Sequence, residues 1–454
     1  MGNLDRYTLK DLQYWSERIE KEAAPSLGID FYPQEFELVN YKTMLERKTY
    51  LGIPYFFPNW ASGKRYEVSS TLFSHRLEYL PYELIIASVP SQAYLSVEND
   101  LAMQLLTMTH CYGHNNFFKH NTYFRKYFRP ELTIDFFANL AERFRSYEQN
   151  PSIGRVAVMR CVEAAQALVY NCAEVLQPHL PDPEQARDLL IFLRDNSPRQ
   201  PAEWERDIMT GIQQAFNHLT KAHTLTIGAN EGWAVYCHYK LMKALNLPDD
   251  LSFGFARHHS KVVRLPDNPL SYNHYLVNSS IWNSLEKRFG PEESVNSSPV
   301  KPISHKLFEI VASTNDVDFV NNYLDAETAQ ELNLFLWLVN DRGVMADRTM
   351  NDPSSPERRR INLMKIKEMI TGRLGFSPIP VIAVTDPNYE GDGSLYLKHI
   401  FNGRNLEPEY TLKTLEHVHY FWGRPVLLET RTRRRQLPYI YNYNGMVGIH
   451  HIRR

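Results

Sequence analysis

The sequence predicts an α+β protein, with a large, mainly α-helical N-terminal region over residues 1–374 and a small α+β domain over residues 375–454. Three observations predict it. Apolar residues recur at helical spacing through most of the N-terminal part, with little glycine. A charged stretch poor in large apolar residues, NDRGVMADRTMNDPSSPERRR, then interrupts the pattern at about 340–360. Beyond Leu374 the texture changes to short β-branched and aromatic runs around one helical segment.

Taken in order, residues 5–24 read as a helix with Leu12, Trp15 and Ile19 on one stripe. LGIDFYPQEFELVNYKTMLERKTYLGIPYFFPNWASGKRYE is broken by Pro and Gly and then reads as extended. From about Ser88 to Phe118, Leu95, Leu101, Leu105, Leu106 and Met108 fall at helical spacing and predict a helix running through His114. Residues 132–195 continue as helices, and NSPRQPAEWERD supplies a break and a cap before a helix from about Glu203 to Lys221. NEGWAVYCHYKLMKALNL is helical again and stops at LPDD, while GPEESVNSSPVKPIS reads as a loop. In the C-terminal part, IPVIAVTDP and SLYLKHIF read as strands, TLKTLEHVHYFWG as a helix, and PVLLETRTRRRQLPYIYNY as strands.

Composition narrows the class. Hydrophobic residues make up 43% and charged ones 22% of 454 residues, which supports packed cores and excludes a disordered chain. A formal net charge of −2 gives no nucleic-acid footprint. Cys111, Cys161, Cys172 and Cys237 are too few for a disulfide framework and fit a reducing compartment. The opening MGNLDRYTLKDLQYWSERIEKEA is a charged amphipathic pattern, not a secretory signal. Arg6 stands where a myristoylation motif needs Ser or Thr. No apolar run reaches the length of about 18 residues that a membrane span needs, so a cytoplasmic location is expected.

The chemistry concentrates in HCYGHNNFFKHN, residues His110 to Asn121. His110 and His114 are four apart and share a helix face, the ligand spacing of the zinc-peptidase motif H-E-x-x-H. Cys111 stands where that motif has its general-base Glu. In NEGWAVYCHY, Glu231 and His238 are seven apart, so a carboxylate and an imidazole also face one side of a helix. A buried carboxylate is costly without a partner. One divalent metal shared by His110, His114, Glu231 and His238 satisfies all four groups, with zinc ahead of iron. The competing reading pairs Glu231 with a Lys or Arg and makes His238 a hydrogen-bonded core residue. Cys111 and Cys237 adjoin these residues but point about 100° away on a helix, and are expected to pack.

Asn115, Lys119 and Asn121 could orient the imidazoles from behind or simply cap the helix end, and His120 is expected at the surface. Asn99 falls on the His110 face about three turns upstream, and His259 could reach the same pocket. Glu35 and Glu37 share one face of a strand and are expected to be surface charge. Arg431, Arg433 and Arg435 read as charges on a solvated edge strand.

Several long stretches resemble the stage V sporulation protein R (SpoVR) family. They are GIDFYPQEFELVNY, YLGIPYFFPNWASGKRYE, YELIIASVPSQAYLSVEND, HCYGHNNFFKHNTYFR, NEGWAVYCHY, DPNYEGDGSLYLKH and LEHVHYFWG, spread from about residue 28 to 430. The resemblance matches His110, Gly113, His114, Asn115, Phe117, Phe118, Lys119 and Asn121. It also matches Glu231, Gly232, Trp233, Ala234, His238, Tyr239, His259, Trp422 and Gly423. Departures include Asn59 in place of a family His, His120 in place of Asn, and Val277-Asn278 in place of Leu-Gly. The resemblance implies a large N-terminal region with a small C-terminal domain, and a link to spore cortex (peptidoglycan) assembly or to a stress response. By gene neighbourhood it implies a PrkA-like serine kinase and a von Willebrand factor A-like protein as partners. It implies a process and no reaction.

Two function classes stay open on these residues. One is a metalloenzyme, most simply a hydrolase of an amide or peptide bond with Glu231 and His238 as catalytic residues, and with oxygen-dependent iron chemistry at the same site as the variant. The other is a scaffold that recruits partners, with a closed structural metal or a polar cluster joining two helices.

Overall fold

A computed structural model describes residues 7–49, 53, 57, 60–74, 83–127, 129–171, 188–266, 272–290, 301–334, 356–432 and 438–445. It is α+β, mainly helical with two small sheets. The chain divides into two compact units. One comprises residues 1–54, 65–134 and 221–375, and the other residues 55–64, 135–220 and 376–454. The second unit thus joins the C-terminal sheet to helices from the middle of the chain, a grouping that sequence order does not display. Asn59, Cys172 and Arg433–Arg435 lie outside the described residues.

The first unit carries a three-stranded sheet of β1 (Gln34–Val39), β2 (Glu83–Ile86) and β3 (Ser91–Ser96), in the order β1-β3-β2. β3 pairs parallel with β1 and antiparallel with β2, leaving β2 at an edge with Glu83 opposite Leu95. Where a helix was expected from Ser88, the chain bends at 88–90 and is a strand over Ser91–Ser96. This central strand, SQAYLS, is buried on both faces and so carries no polar–apolar alternation to mark it as a strand. The helix α1 begins at Leu101 and runs to His120, with the Asp100 carboxylate accepting the Met103 N–H at 2.8 Å. Tyr41–Thr49 and Trp60–Ser74 are also helical where an extended chain was expected. In the first, the Asn40 side chain caps the Thr43 N–H at 3.1 Å, and good helix formers follow it. Glu35 and Glu37 do share the exposed face of β1.

α2 (Lys221–Ala244) and α3 (Asp249–Val262) pack on α1, and α4 (His274–Phe289) and α5 (Asp316–Tyr323) pack on α2. α2 is the central helix, and the stripe argument of a surface helix does not apply to it: both its Trp233 face and its His238 face are buried. Two glycines set its crossings. A Cβ on Gly113 of α1 would lie 2.8 Å from the Ala234 Cα, and one on Gly232 would lie 2.5 Å from the Asn278 Cβ of α4. The first crossing brings the HCYGH and EGWAVYCH turns face to face.

Gly113→Ala is accordingly expected to destabilise the protein. Alanine gains about 1 kcal/mol in helix propensity, but overpacking costs about 1–3 kcal/mol and here meets backbone, which has no rotamer to change. A lower urea midpoint at unchanged slope checks this; an unchanged or raised midpoint contradicts so tight a crossing.

The second unit holds the four-stranded sheet β4 (Ile382–Tyr389), β5 (Ser394–His399), β6 (Val426–Thr430) and β7 (Tyr439–Tyr443), in sequence order. β4–β5 and β6–β7 are antiparallel, whereas β5–β6 is parallel and needs a crossover, which α6 (Pro408–Trp422) provides. Gly423 ends α6 at φ 76°, and Trp422 Nε1 donates to the Gly393 carbonyl at 2.9 Å. These elements match the sequence expectation in kind and order. Among the described residues, no helix is long and apolar enough to cross a membrane.

Candidate metal centre

His110 and His114 of α1, Glu231 of α2 and Glu83 of β2 bring one ligand atom each within 4.8 Å of one another, a cluster that could hold a metal ion. Glu231 Oε2 lies 3.3 Å from His110 Nε2 and 3.3 Å from His114 Nε2, while Glu83 Oε1 lies 3.4 Å from His110 Nε2. The side chains of His110, His114, Glu83 and Glu231 are 0%, 5%, 9% and 18% exposed, so the cluster is sunk in the core and opens on its carboxylate side.

Tertiary contacts fix the orientation of each imidazole. His114 Nδ1 donates to the Asn230 side-chain oxygen at 3.0 Å, which leaves its Nε2 lone pair directed at Glu231. His110 Nδ1 faces His238 Nδ1 at 3.0 Å, so its Nε2 is likewise the nitrogen turned to the carboxylates. The Glu231 turn is itself anchored: Asp316 of α5 accepts the N–H groups of Gly228 and Ala229 at 2.9 and 2.8 Å, and Trp282 Nε1 donates to the Ala229 carbonyl at 3.0 Å.

The electrostatics suit a cation. Burial brings the His110 imidazole down to about 4, so it is neutral and available as a ligand near pH 7. Burial alone would raise the Glu231 carboxyl, but His114 and His110 together outweigh it and hold that group well below the usual carboxylate range. Two carboxylates thus converge in a space with little water. Among the described residues, Glu231 is partnered by imidazoles and by no Lys or Arg. Burial also raises the Asp316 carboxyl to about 7.

Of the residues singled out in the sequence, His110, His114 and Glu231 come together. His238 does not reach the cluster; it stands behind His110, with its Nε2 2.8 Å from His259 Nδ1. His259 is therefore one imidazole further back. Asn115 holds the chain leading into β1, accepting the Tyr32 N–H at 2.9 Å and donating to the Tyr32 carbonyl and Gln34. Lys119 binds Asp30 at 2.7 Å, and His120 faces the same carboxylate at 3.3 Å. Asn121 donates to the Val311 and Thr314 carbonyls at 2.7 and 2.9 Å. Asn99 precedes α1 instead of lying on it and meets Gln104 at 3.5 Å. Cys111 and Cys237 are fully buried, and burial pushes both thiols up.

Sequence reading missed Glu83 and Asn230. The signal for Glu83 was present in YELIIASV, where a carboxylate heads an apolar strand. Asn230 lies beside Glu231, and only the helix crossing shows that it meets His114.

Fold and cluster together define a mainly helical α+β protein with a buried histidine–glutamate site able to hold an ion. The chain belongs to the SpoVR family. The family's SpoVR like protein pattern matches residues 6–185 and 171–360, and the SpoVR-like C-terminal domain matches residues 380–433. Among curated proteins it is similar to "Uncharacterized protein YcgB" of Escherichia coli (strain K12), at 23% identity over 466 residues covering 88% of each chain. No solved structure matches significantly.

Proposed function

We propose that this SpoVR protein is a divalent-metal-dependent hydrolase of an amide or peptide bond, with zinc as the metal. His110 Nε2, His114 Nε2 and Glu231 are the ligands, a two-histidine, one-glutamate set suited to hydrolytic zinc. The observation that carries the reading is the convergence of two imidazoles and two carboxylates from three separate elements in one buried space. Two buried carboxylates so close repel each other, and a divalent cation removes that cost. Iron could use the same donors, but nitrogen and carboxylate ligands with an acid/base carboxylate alongside favour hydrolysis.

Glu83 takes the role that Cys111 leaves vacant in the sequence motif. It reaches the cluster from β2, and its Oε1 is 3.4 Å from His110 Nε2. A bound divalent ion would supply an activated water there, and Glu83 would act as the general acid–base group beside it. The family name ties such proteins to sporulation. The peptide stems of the spore cortex contain amide bonds, which makes peptidoglycan peptides the substrate class to test first.

The experiment is a hydrolysis assay on peptidoglycan stem peptides and a panel of simple peptide amides. It compares chelator-treated protein with the same protein reloaded with zinc. Turnover that appears on reloading supports the reading. Stoichiometric zinc with no turnover on any amide moves the function to a structural metal in a partner-recruiting scaffold.

A further inference from the structure

Behind the cluster runs a line of three imidazoles. His110 Nδ1 is 3.0 Å from His238 Nδ1, and His238 Nε2 is 2.8 Å from His259 Nδ1. His238 is fully buried, and His259 borders a cavity of about 600 Å³ shared with Tyr236, Tyr239, Ser279 and Asn283. His259 Nε2 makes no hydrogen bond to the described residues. The line therefore joins the metal cluster at one end to a cavity at the other.

A neutral imidazole has one N–H and one lone pair. Each nitrogen–nitrogen contact in the line holds one proton, so three neutral rings have two consistent arrangements. Without a cation, His110 Nε2 keeps its proton and donates to Glu231. His238 Nδ1–H then donates to His110 Nδ1, His259 Nδ1–H donates to His238 Nε2, and His259 Nε2 is left as a lone pair. A cation in the cluster requires the lone pair of His110 Nε2, and the whole line reverses. His110 Nδ1–H donates to His238, His238 Nε2–H donates to His259, and His259 Nε2 carries the proton.

We propose that His110, His238 and His259 form a tautomeric relay, in which filling the metal site converts His259 Nε2 from a hydrogen-bond acceptor into a donor facing the cavity. The proposal rests on the metal-centre reading above. The proton balance closes: N–H bonds break at His110 Nε2, His238 Nδ1 and His259 Nδ1, and form at His110 Nδ1, His238 Nε2 and His259 Nε2. Each shared proton moves one nitrogen toward the cluster. Solvent supplies the proton on His259 Nε2 and removes the one from His110 Nε2, and every ring stays neutral. Burial, which favours the neutral form of each ring, supports this. His238 is thereby a positioning residue for His110. By linkage, a ligand presenting a carboxylate or carbonyl oxygen to His259 in the cavity tightens metal binding, and the metal tightens the ligand by the same factor.

The test uses the full chain labelled with ¹⁵N-histidine and long-range proton–nitrogen spectra that separate protonated from bare ring nitrogens. The metal-free protein is expected to show His259 with Nδ1 protonated and Nε2 bare, and zinc is expected to exchange the two, with His238 exchanging alongside. His238→Phe is expected to lower zinc affinity by about 10–100-fold, with partial rescue in His238→Gln, whose amide can accept and donate. If His110 and His114 respond to zinc while His238 and His259 do not, the relay is overturned and the metal centre stands. If no histidine responds, the metal centre fails and the relay with it. Metal-free protein with His259 Nε2 already protonated overturns the relay whatever the metal does.

Discussion

The Glu231→Gln variant is expected to fold and to lose zinc. Glu231 is the carboxylate that touches both imidazoles, at 3.3 Å from each Nε2, so it is the point where the two helices' ligands meet. Glutamine keeps its shape and can still hydrogen-bond the imidazoles, but it removes the charge that draws the cation. Outer-shell changes already cost about 10–100-fold in metal affinity, and removal of a ligand is expected to exceed that. The metal-free fold should not suffer, because a neutral amide at this depth avoids the cost of burying a charge. Zinc calorimetry beside urea unfolding reads both effects. A variant that binds zinc as tightly as the parent places the ion elsewhere.

Glu83→Gln separates catalysis from metal binding. As general base, Glu83 is expected to leave zinc affinity within about tenfold while hydrolysis falls by about 10²–10⁴-fold, the usual span for general acid–base groups. As a fourth ligand, its loss would instead release the metal, and a four-protein-ligand site is closed and structural. The same variant therefore decides between an open, hydrolytic centre and a stapled pair of helices.

Much of the fold was legible because its signals are local. The strands and helix after Leu374 have short β-branched and aromatic runs and a clean glycine stop at Gly423, and they appear as expected. β3 was hidden because a central strand carries no alternation to read, so Leu95 counted toward a helix. The units mix distant segments, and that pairing depends on tertiary contacts which no single segment encodes.

The site divides along the same line. Helical spacing placed His110 and His114 on one face, and placed Glu231 and His238 on another. It gave no account of depth along the crossing, which the tight approach at Gly113 sets. At that depth Glu231 enters the cluster, and His238, two turns on, falls behind His110. The fourth group, Glu83, comes from an edge strand whose position relative to α1 no periodicity reports. Asn115, Lys119 and Asn121 follow the histidines in sequence, yet they turn away from the cluster and secure the chain at Tyr32, Asp30 and Val311.

The most direct measurement is elemental analysis of the untagged protein purified without chelator, with the Glu231→Gln variant beside it. The account predicts one divalent ion per chain in the parent, zinc by identity, and none in the variant. Parent protein that is folded and free of metal, and that takes up none when zinc is supplied, would contradict it.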